Sequence, residues 1–481
     1  MSESLKGKTA KGLLWGGMNN GVQQLVGLVF GIILGRLLSR DDFGMIAMIT
    51  IFSVIANELQ SSGFKTGLIN MTSPRHEDYN SVFWFNIIAG SVLYALLFFI
   101  SPWIAAYYHQ PALTWLCRYV FLGFVFSSFG LAQSAYLTKS LQIKEIAQSG
   151  MTAVMLSSIT GAVMAWGGFG YWALATQNLV YILANTLLLW HFSPWRPTLH
   201  IDFGPVRQLF PFSVRILITA ILGHINVNVM NIMLGRHYSA SDTGDYNQAY
   251  QWSSKFFLLV QNMLKQVDQP VLVGLHDERE RQLRVLRKMM RFTAFISFPL
   301  LLGLGLVSHE FIVITIGEKW ATSASLLPLL CLSGAFMPLS TLMADMIISR
   351  GRSDIYMWVT LSLGIIEIAL MLMLWPYGIR TMVWTFVTVN ILWVGIWFFF
   401  VSRLTGYRLL SFLKDIIPFA LAAGCVMATT HYLTCPLTSL WPLLVSRVFM
   451  AAILYYIVMR LARVQILVEC QQFIISKFRK S

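Results

Sequence analysis

Stretches of about 20 apolar residues, the length of helix that crosses roughly 30 Å of hydrocarbon, recur along this 481-residue chain from end to end. Hydrocarbon offers the backbone no hydrogen-bond partner, so such stretches fold as helices or as a closed barrel. The alternating ten-residue pattern of a barrel is absent, which leaves an all-α integral membrane protein. Spans are expected near 13–34, 43–62, 82–106, 113–136, 148–166, 171–191, 210–235, 246–270, 292–316, 325–349, 355–375, 379–402, 413–433 and 441–460, about fourteen in all. Hydrophobic residues make up 56% of the chain and charged residues 12%, with mean hydropathy +0.65; a soluble domain carries about 25% charge.

The formal net charge of +14 raises the possibility of a nucleic-acid partner, and the placement of the charge argues against it. With loops assigned alternately, roughly 25 Lys and Arg fall on the N-terminal side and about 5 on the other, the positive-inside pattern. Both termini are then cytoplasmic. Clusters such as "RHED" (75–78), "HDERERQLRVLRKMMR" (276–291) and the tail "SKFRKS" are read as topology signals that touch anionic headgroups. The stretch 276–291 is amphipathic and is expected to lie flat on lipid, with partners from an export machinery as the alternative. No basic soluble domain is present to bind nucleic acid. Lys6, Lys8 and Lys11 precede the first span without a cleavable signal pattern, so that span is read as an uncleaved helix. Cys117, Cys331, Cys425, Cys435 and Cys470 show no paired spacing, and the nine histidines form no ligand cluster, so neither a disulfide framework nor a metal site is indicated.

One turn is written twice. "GRLLSRDDFG" occupies residues 35–44 and "GRHYSASDTG" residues 235–244, with Gly35/Gly235, Arg36/Arg236, Ser39/Ser239, Asp42/Asp242 and Gly44/Gly244 coinciding at an offset of 200. The copies follow the first and seventh spans, and the even number of spans between them gives two halves of the same orientation, a parallel repeat about the membrane normal. The expected organisation is an N-lobe of six spans (1–192), a linker (193–209), a C-lobe of six spans (210–404), and two further spans with a basic tail (405–481). Within the turn, Gly35 and Gly235 suit helix C-termini, Arg36 and Arg236 suit the negative end of the helix dipole, and Asp42 and Asp242 suit caps of the following helices. The alternative for Arg36, Asp42, Arg236 and Asp242 is an outer gate. Gly27, Gly31 and Gly35, four residues apart, are expected to permit close helix packing.

Charges inside a bilayer cost at least about 2.5–3.5 kcal/mol each and usually face protein or water. The intramembrane cations are Arg118, Arg215, Lys255, Lys265 and Arg447, and the acids are Glu58, Asp268, Asp345 and Glu367. Arg118, Arg215 and Arg447 sit close enough to span ends to snorkel, and Lys265 and Asp268 are spaced to pair. Lys255 is the deepest cation. Gln248, Gln251, Lys255, Asn262 and Gln266 share one helical face, and Asn19, Asn20, Gln23 and Gln24 in the first span answer to Arg215, Thr219, His224, Asn226, Asn228 and Asn231 in the seventh. A polar stripe through hydrocarbon lines a hydrated cavity or serves interhelical hydrogen bonding. A cavity bearing Lys255, with Arg118 and Arg215 in reach, suits an anion, phosphate above all, while neutral amides suit sugar hydroxyls. No GxSxG, P-loop or nucleotide-binding domain competes, so the chain is read as a transporter and not an enzyme, without ATP hydrolysis of its own.

Five stretches carry a family resemblance: "GLLWGGMNNGVQQLVGLVFGIILGRLLSRDDFGMIAM", "LTKSLQIKEIAQSG" (137–150), "GDYNQAYQW" (244–252), "IGEKWATSASLLPLLCLSG" (316–334) and "SRGRSDI" (349–355). On these the chain resembles the oligosaccharide flippases of the polysaccharide-export branch within the multidrug/oligosaccharidyl-lipid/polysaccharide superfamily, most of all the lipopolysaccharide and colanic-acid exporters. The resemblance implies a twelve-plus-two helix arrangement in the bacterial inner membrane. It also implies transfer of an undecaprenyl-diphosphate-linked oligosaccharide from the cytoplasmic to the periplasmic leaflet by alternating access, for O-antigen, capsule or exopolysaccharide assembly. Relatives have cationic cavities and a lipid-facing groove formed with their last two helices. Coupling to H⁺, Na⁺ or the membrane potential is expected, with no bound cofactor. The alternatives are an ion-coupled multidrug antiporter of the same superfamily, which calls for an acidic cavity residue, and a membrane glycan polymerase or ligase, which calls for an extended outer loop. The outer loops here are short.

Overall fold

The computed structural model describes residues 5–199, 202–265, 268–275 and 278–478, and over these the chain is helical with no strand. The helices are α1 Leu5–Leu37, α2 Arg40–Asn70, α3 His76–Tyr107, α4 Leu113–Ser128, α5 Leu131–Lys139, α6 Ile143–Trp166, α7 Tyr171–Phe192, α8 Gly204–His237, α9 Ala240–Lys265, α10 Asp268–Gly274, α11 Arg279–Leu306, α12 Ser308–Ile316, α13 Ala321–Gly334, α14 Met337–Ser349, α15 Ser353–Leu374, α16 Ile379–Thr405, α17 Leu409–Thr434, α18 Leu440–Leu461 and α19 Gln465–Phe478. Ten segments among the described residues are long and apolar enough to cross a membrane, and α4 with α5, bent by 42°, makes an eleventh. Three more helices, α2, α8 and α9, have 31, 34 and 26 residues and are more polar. They lie where the remaining three of the fourteen expected spans fall, 43–62, 210–235 and 246–270.

The chain divides into two compact units, residues 1–244 and 245–481. In the first, α1 packs on α6, α6 on α7, α3 on α4, and α2 on α8. A core of Met48, Ile49, Leu113, Leu116, Phe121 and neighbours fills one end, and a second, around Phe64, Leu68, Tyr79, Phe83 and Trp195, fills the other. Trp195 belongs to the proline-rich segment between α7 and α8. Its indole donates to His76 Nδ1 at 3.1 Å, Thr198 N donates to Asn80 Oδ1 at 2.9 Å, and Trp84 Nε1 donates to the Thr198 carbonyl at 2.7 Å. This segment is therefore a strap fastened to the start of α3. In the second unit, α11 is the hub, touching α13, α14, α17 and α18.

The amphipathic stretch does not lie flat. Its residues 279–291 form the first half of α11, continuous with the ninth span, and their inner face is buried in protein: Gln282, Leu286 and Met290 are buried, and Gln282 Nε2 donates to the Leu272 carbonyl at 2.7 Å.

Both copies of the repeated turn fold identically. Ser39 caps α2: Asp42 N donates to Ser39 Oγ at 3.2 Å, while Ser39 N and Oγ donate to Asp42 Oδ2 at 2.8 and 2.6 Å. At the second copy Asp242 N donates to Ser239 Oγ at 3.1 Å, and Ser239 N and Oγ donate to Asp242 Oδ2 at 3.2 and 2.7 Å. Serine is thus the cap, and the aspartate closes a reciprocal box from three residues on, satisfying amide groups that a helix start leaves open. The final glycines have a reason of their own to coincide. A Cβ on Gly44 would overlap the Ala240 carbonyl, and one on Gly244 would overlap the Arg40 carbonyl. The two helix starts cross backbone to backbone, each copy pressed on the other.

Two glycine expectations are corrected. Gly235 lies inside the last turn of α8, which is capped by Tyr238, and its role is close approach: a Cβ there would come within 2.7 Å of Met48 Cγ and 2.8 Å of Tyr108 Cε1. At Gly27 a Cβ would meet nothing within 4 Å, so no packing requires that glycine. Gly44→Ala and Gly244→Ala are accordingly expected to destabilise the protein by about 1–3 kcal/mol through overpacking, and Gly27→Ala to leave it unchanged or slightly more stable, as read by thermal unfolding of the full chain in detergent.

Candidate functional site

The eighth span, α9, carries the deepest cation expected from the sequence. Lys255 is partly exposed, and its Nζ stands 4.3 Å from the centroid of the buried Trp252 ring. Trp252 is held in turn by an edge contact to Phe311, with centroids 4.9 Å apart. Among the described residues no carboxylate lies within ion-pair distance of Lys255, so its charge rests on an indole face, which attracts a cation without neutralising it. On the same helix Gln251 and Asn262 are exposed and Gln248 is buried. A cation with a free valence, flanked by exposed amides, is chemically an anion and hydroxyl acceptor site.

The other expected residues that are described make contacts of their own within the first unit. Arg118 is wedged between aromatic rings, its guanidinium carbon 4.1 Å from the Phe98 centroid and 4.9 Å from that of Trp115, with Nε donating to the Phe98 carbonyl at 3.4 Å. Its neighbours Trp115 and Phe99 are exposed. In α1, Gln23 Nε2 donates to Asn19 Oδ1 at 2.9 Å, and both side chains fill the notch over Gly150 of α6, where a Cβ would lie 2.9 Å from the glutamine and 3.0 Å from the asparagine. Asn20 and Gln24 are the exposed pair of that stripe. Asn226 is partly buried on α8, where Asn228 Nδ2 donates to the His224 carbonyl at 3.0 Å. The side chains of Arg215, Glu58, Lys265 and Gln266 lie outside the described residues. Of the turn residues, Arg36 is exposed, and Arg236 donates to the Tyr107 carbonyl and stands 2.5 Å from His109 Nε2.

Arg447 turns inward instead of snorkelling. It is buried, its Nη1 bonded to Glu310 Oε1 at 2.8 Å and to the Leu306 carbonyl at 3.2 Å, its Nε to Thr434 Oγ1 at 3.2 Å and its Nη2 to His431 Nδ1 at 3.1 Å. It ends an apolar cavity of about 660 Å³ between α11, α17 and α18. Glu310 lies inside the expected span 292–316 although it is not among the expected intramembrane acids, and the structure places it just after the break between α11 and α12. Asp415, six residues into α17 and inside the expected span 413–433, is likewise not among them, and it binds Arg287 with 2.7 and 3.2 Å contacts. Glu367, the midplane acid, is buried and accepts from Asn390 Nδ2 at 2.8 Å.

Residues 33–325 match the family described as "Polysaccharide biosynthesis protein". The chain belongs to this family. It is similar to the lipopolysaccharide biosynthesis protein WzxC of Escherichia coli K12, 26% identical over 73% of this chain and 72% of that one. It is also similar to the teichuronic acid biosynthesis protein TuaB of Bacillus subtilis 168, 24% identical over 89% and 91%. Its fold is like that of the lipid II flippase MurJ in an inward closed conformation, TM-score 0.77 at 14% identity over 94% of this chain and all of that one. An inward-facing multidrug resistance MATE transporter matches with TM-score 0.65 at 14% identity over 80% and 94%. These likenesses give a polytopic membrane protein that shares its fold with MurJ and the MATE transporter.

Removing one partner of a buried ion pair strands the other's charge. Glu310→Gln and Arg447→Met are each expected to cost about 3–5 kcal/mol and the double replacement markedly less, as measured by a double-mutant cycle on thermal unfolding in detergent.

Proposed function

We propose that the chain is a flippase that carries an undecaprenyl-diphosphate-linked oligosaccharide from the cytoplasmic to the periplasmic leaflet of the bacterial inner membrane, with both termini cytoplasmic. Family membership and the names of WzxC and TuaB support a place in surface-polysaccharide assembly, and the fold shared with a lipid II flippase supports movement of a lipid-linked sugar. The observation that carries the site assignment is Lys255, a membrane-embedded ammonium resting on Trp252 with exposed Gln251 and Asn262 on its helix. The lysine receives the diphosphate, and the amides receive sugar hydroxyls. Two lobes, 1–192 and 210–404, joined through 193–209, rock to expose this site to either side in turn. The lipid tail stays in the bilayer throughout. No nucleotide-binding motif occurs in the sequence, and the cycle draws on an ion gradient or the membrane potential; the reaction is transport and not catalysis.

The decisive assay is the sidedness of lipid-linked oligosaccharide, probed with a membrane-impermeant glycan reagent on spheroplasts and on inverted vesicles. Cells lacking the gene are expected to accumulate the lipid on the cytoplasmic face. Lys255→Ala is expected to reduce complementation by roughly 10- to 100-fold, the loss of a charge-assisted contact to phosphate, at unchanged membrane insertion, with Lys255→Arg retaining most activity. Normal export by a well-expressed Lys255→Ala protein removes the lysine from the site. Unchanged sidedness in the deletion, with redundant flippases absent, turns the reading to the multidrug antiporter.

A further inference from the structure

A second cationic site lies in the second unit, between the first half of α11 and the start of α17. Asp415 is only 4% exposed at its side chain, and three groups converge on it. Arg287 Nε and Nη2 bond its two oxygens at 2.7 and 3.2 Å, Tyr407 Oη donates to Oδ2 at 2.7 Å, and Arg291 Nε stands 3.5 Å from Oδ1. Burial, and then the neighbouring Asp415, push the Tyr407 phenol well above its ordinary range, so it is a neutral donor. The cluster therefore holds two guanidinium charges against one carboxylate. The nearby Lys288 does not add to the excess, since it pairs with Glu469 at 2.6 Å.

The excess is presented, not hidden. The side chains of Arg287 and Arg291 are 35% and 38% exposed. Among the described residues Arg287 Nη1 and both Nη atoms of Arg291 have no hydrogen-bond partner, and Arg291 Nε also donates to the Arg287 carbonyl at 3.4 Å. One turn further along both helices, Phe295 meets Phe419 edge-on with centroids 6.2 Å apart, and Tyr455 Oη donates to the Phe295 carbonyl at 2.9 Å. Phe295 opens the apolar cavity that continues past Pro299 and Gly303 to Met427 and Ala451. A rigid pair of arginines with one uncompensated charge thus stands at the head of an apolar groove.

We propose that this is a binding site for an anionic glycerophospholipid of the surrounding leaflet. The phosphodiester is bound by the free guanidinium edges of Arg287 and Arg291, and an acyl chain lies along the groove beyond Phe295. One surplus positive charge matches the single negative charge of a phosphodiester, whereas a diphosphate brings more than this cluster neutralises. Asp415 is the positioning residue: it locks both arginines, so little side-chain freedom is lost when the headgroup docks. The phosphate contacts use neither Lys255 nor Trp252, so they are tested without the transported lipid.

The test is a lipid titration of the delipidated full-length protein followed by native mass spectrometry. Phosphatidylglycerol, phosphate-free diacylglycerol and a polyprenyl diphosphate are the probes, with wild type, Arg291→Gln and Arg291→Lys compared. Arg291→Gln removes the surplus charge and leaves the Arg287–Asp415 pair intact, so its melting temperature is expected to stay near that of wild type. Wild type is expected to bind phosphatidylglycerol about tenfold more tightly than diacylglycerol, the scale of one charge-assisted contact. Arg291→Gln is expected to lose that preference and Arg291→Lys to keep most of it. Undiminished preference in Arg291→Gln overturns the proposal. So does displacement of phosphatidylglycerol by equimolar polyprenyl diphosphate in wild type but not in Arg291→Gln, which would hand the site to the transported lipid.

Discussion

Hydrocarbon cannot solvate a charge, and the way this chain settles each embedded cation organises much of the rest. Arg447 is matched by a carboxylate from the broken ninth span and loses its exposure altogether. Arg287 shares Asp415 with Arg291 and remains one-third exposed. Arg118 is shielded by two aromatic rings beside exposed tryptophan. Among the described residues Lys255 is given the face of one indole. The series runs from full neutralisation to almost none, and Lys255, its last member, keeps the most charge to offer a ligand.

The all-helical fold was legible because the membrane leaves the backbone few choices, and runs of apolar residues report that constraint directly. The repeated turn was legible as well, since a serine, an aspartate and two glycines at fixed spacing survive in both copies. What periodicity did not reveal was direction. Asn19 and Gln23 have the spacing of a cavity stripe, yet they face the notch above Gly150, while Asn20 and Gln24 on the same helix are exposed. A helical face tells which residues point together; which neighbour they point at depends on contacts from segments far along the chain.

The same gap explains the ionisable groups that reasoning from apolar runs passed over. Glu310 and Asp415 lie at a helix break and near a helix start. Their partners Arg447 and Arg287 are 137 and 128 residues away in sequence, and no local pattern joins them. The stretch 276–291 has a true amphipathic period, and the inner face of its residues 279–291 meets α10 and α14. Amphipathicity specifies that a face will be covered, and tertiary structure decides by what.

The crossing of the two helix starts constrains how this sequence can change. Gly44 is required by the backbone at residue 240, and Gly244 by the backbone at residue 40. A side chain introduced into either copy is resisted by main chain that no substitution in the other copy can trim away. The two turns thus act as each other's templates, and their likeness is maintained by mutual contact inside a single molecule, while the residues around them, which touch different neighbours, are free to diverge.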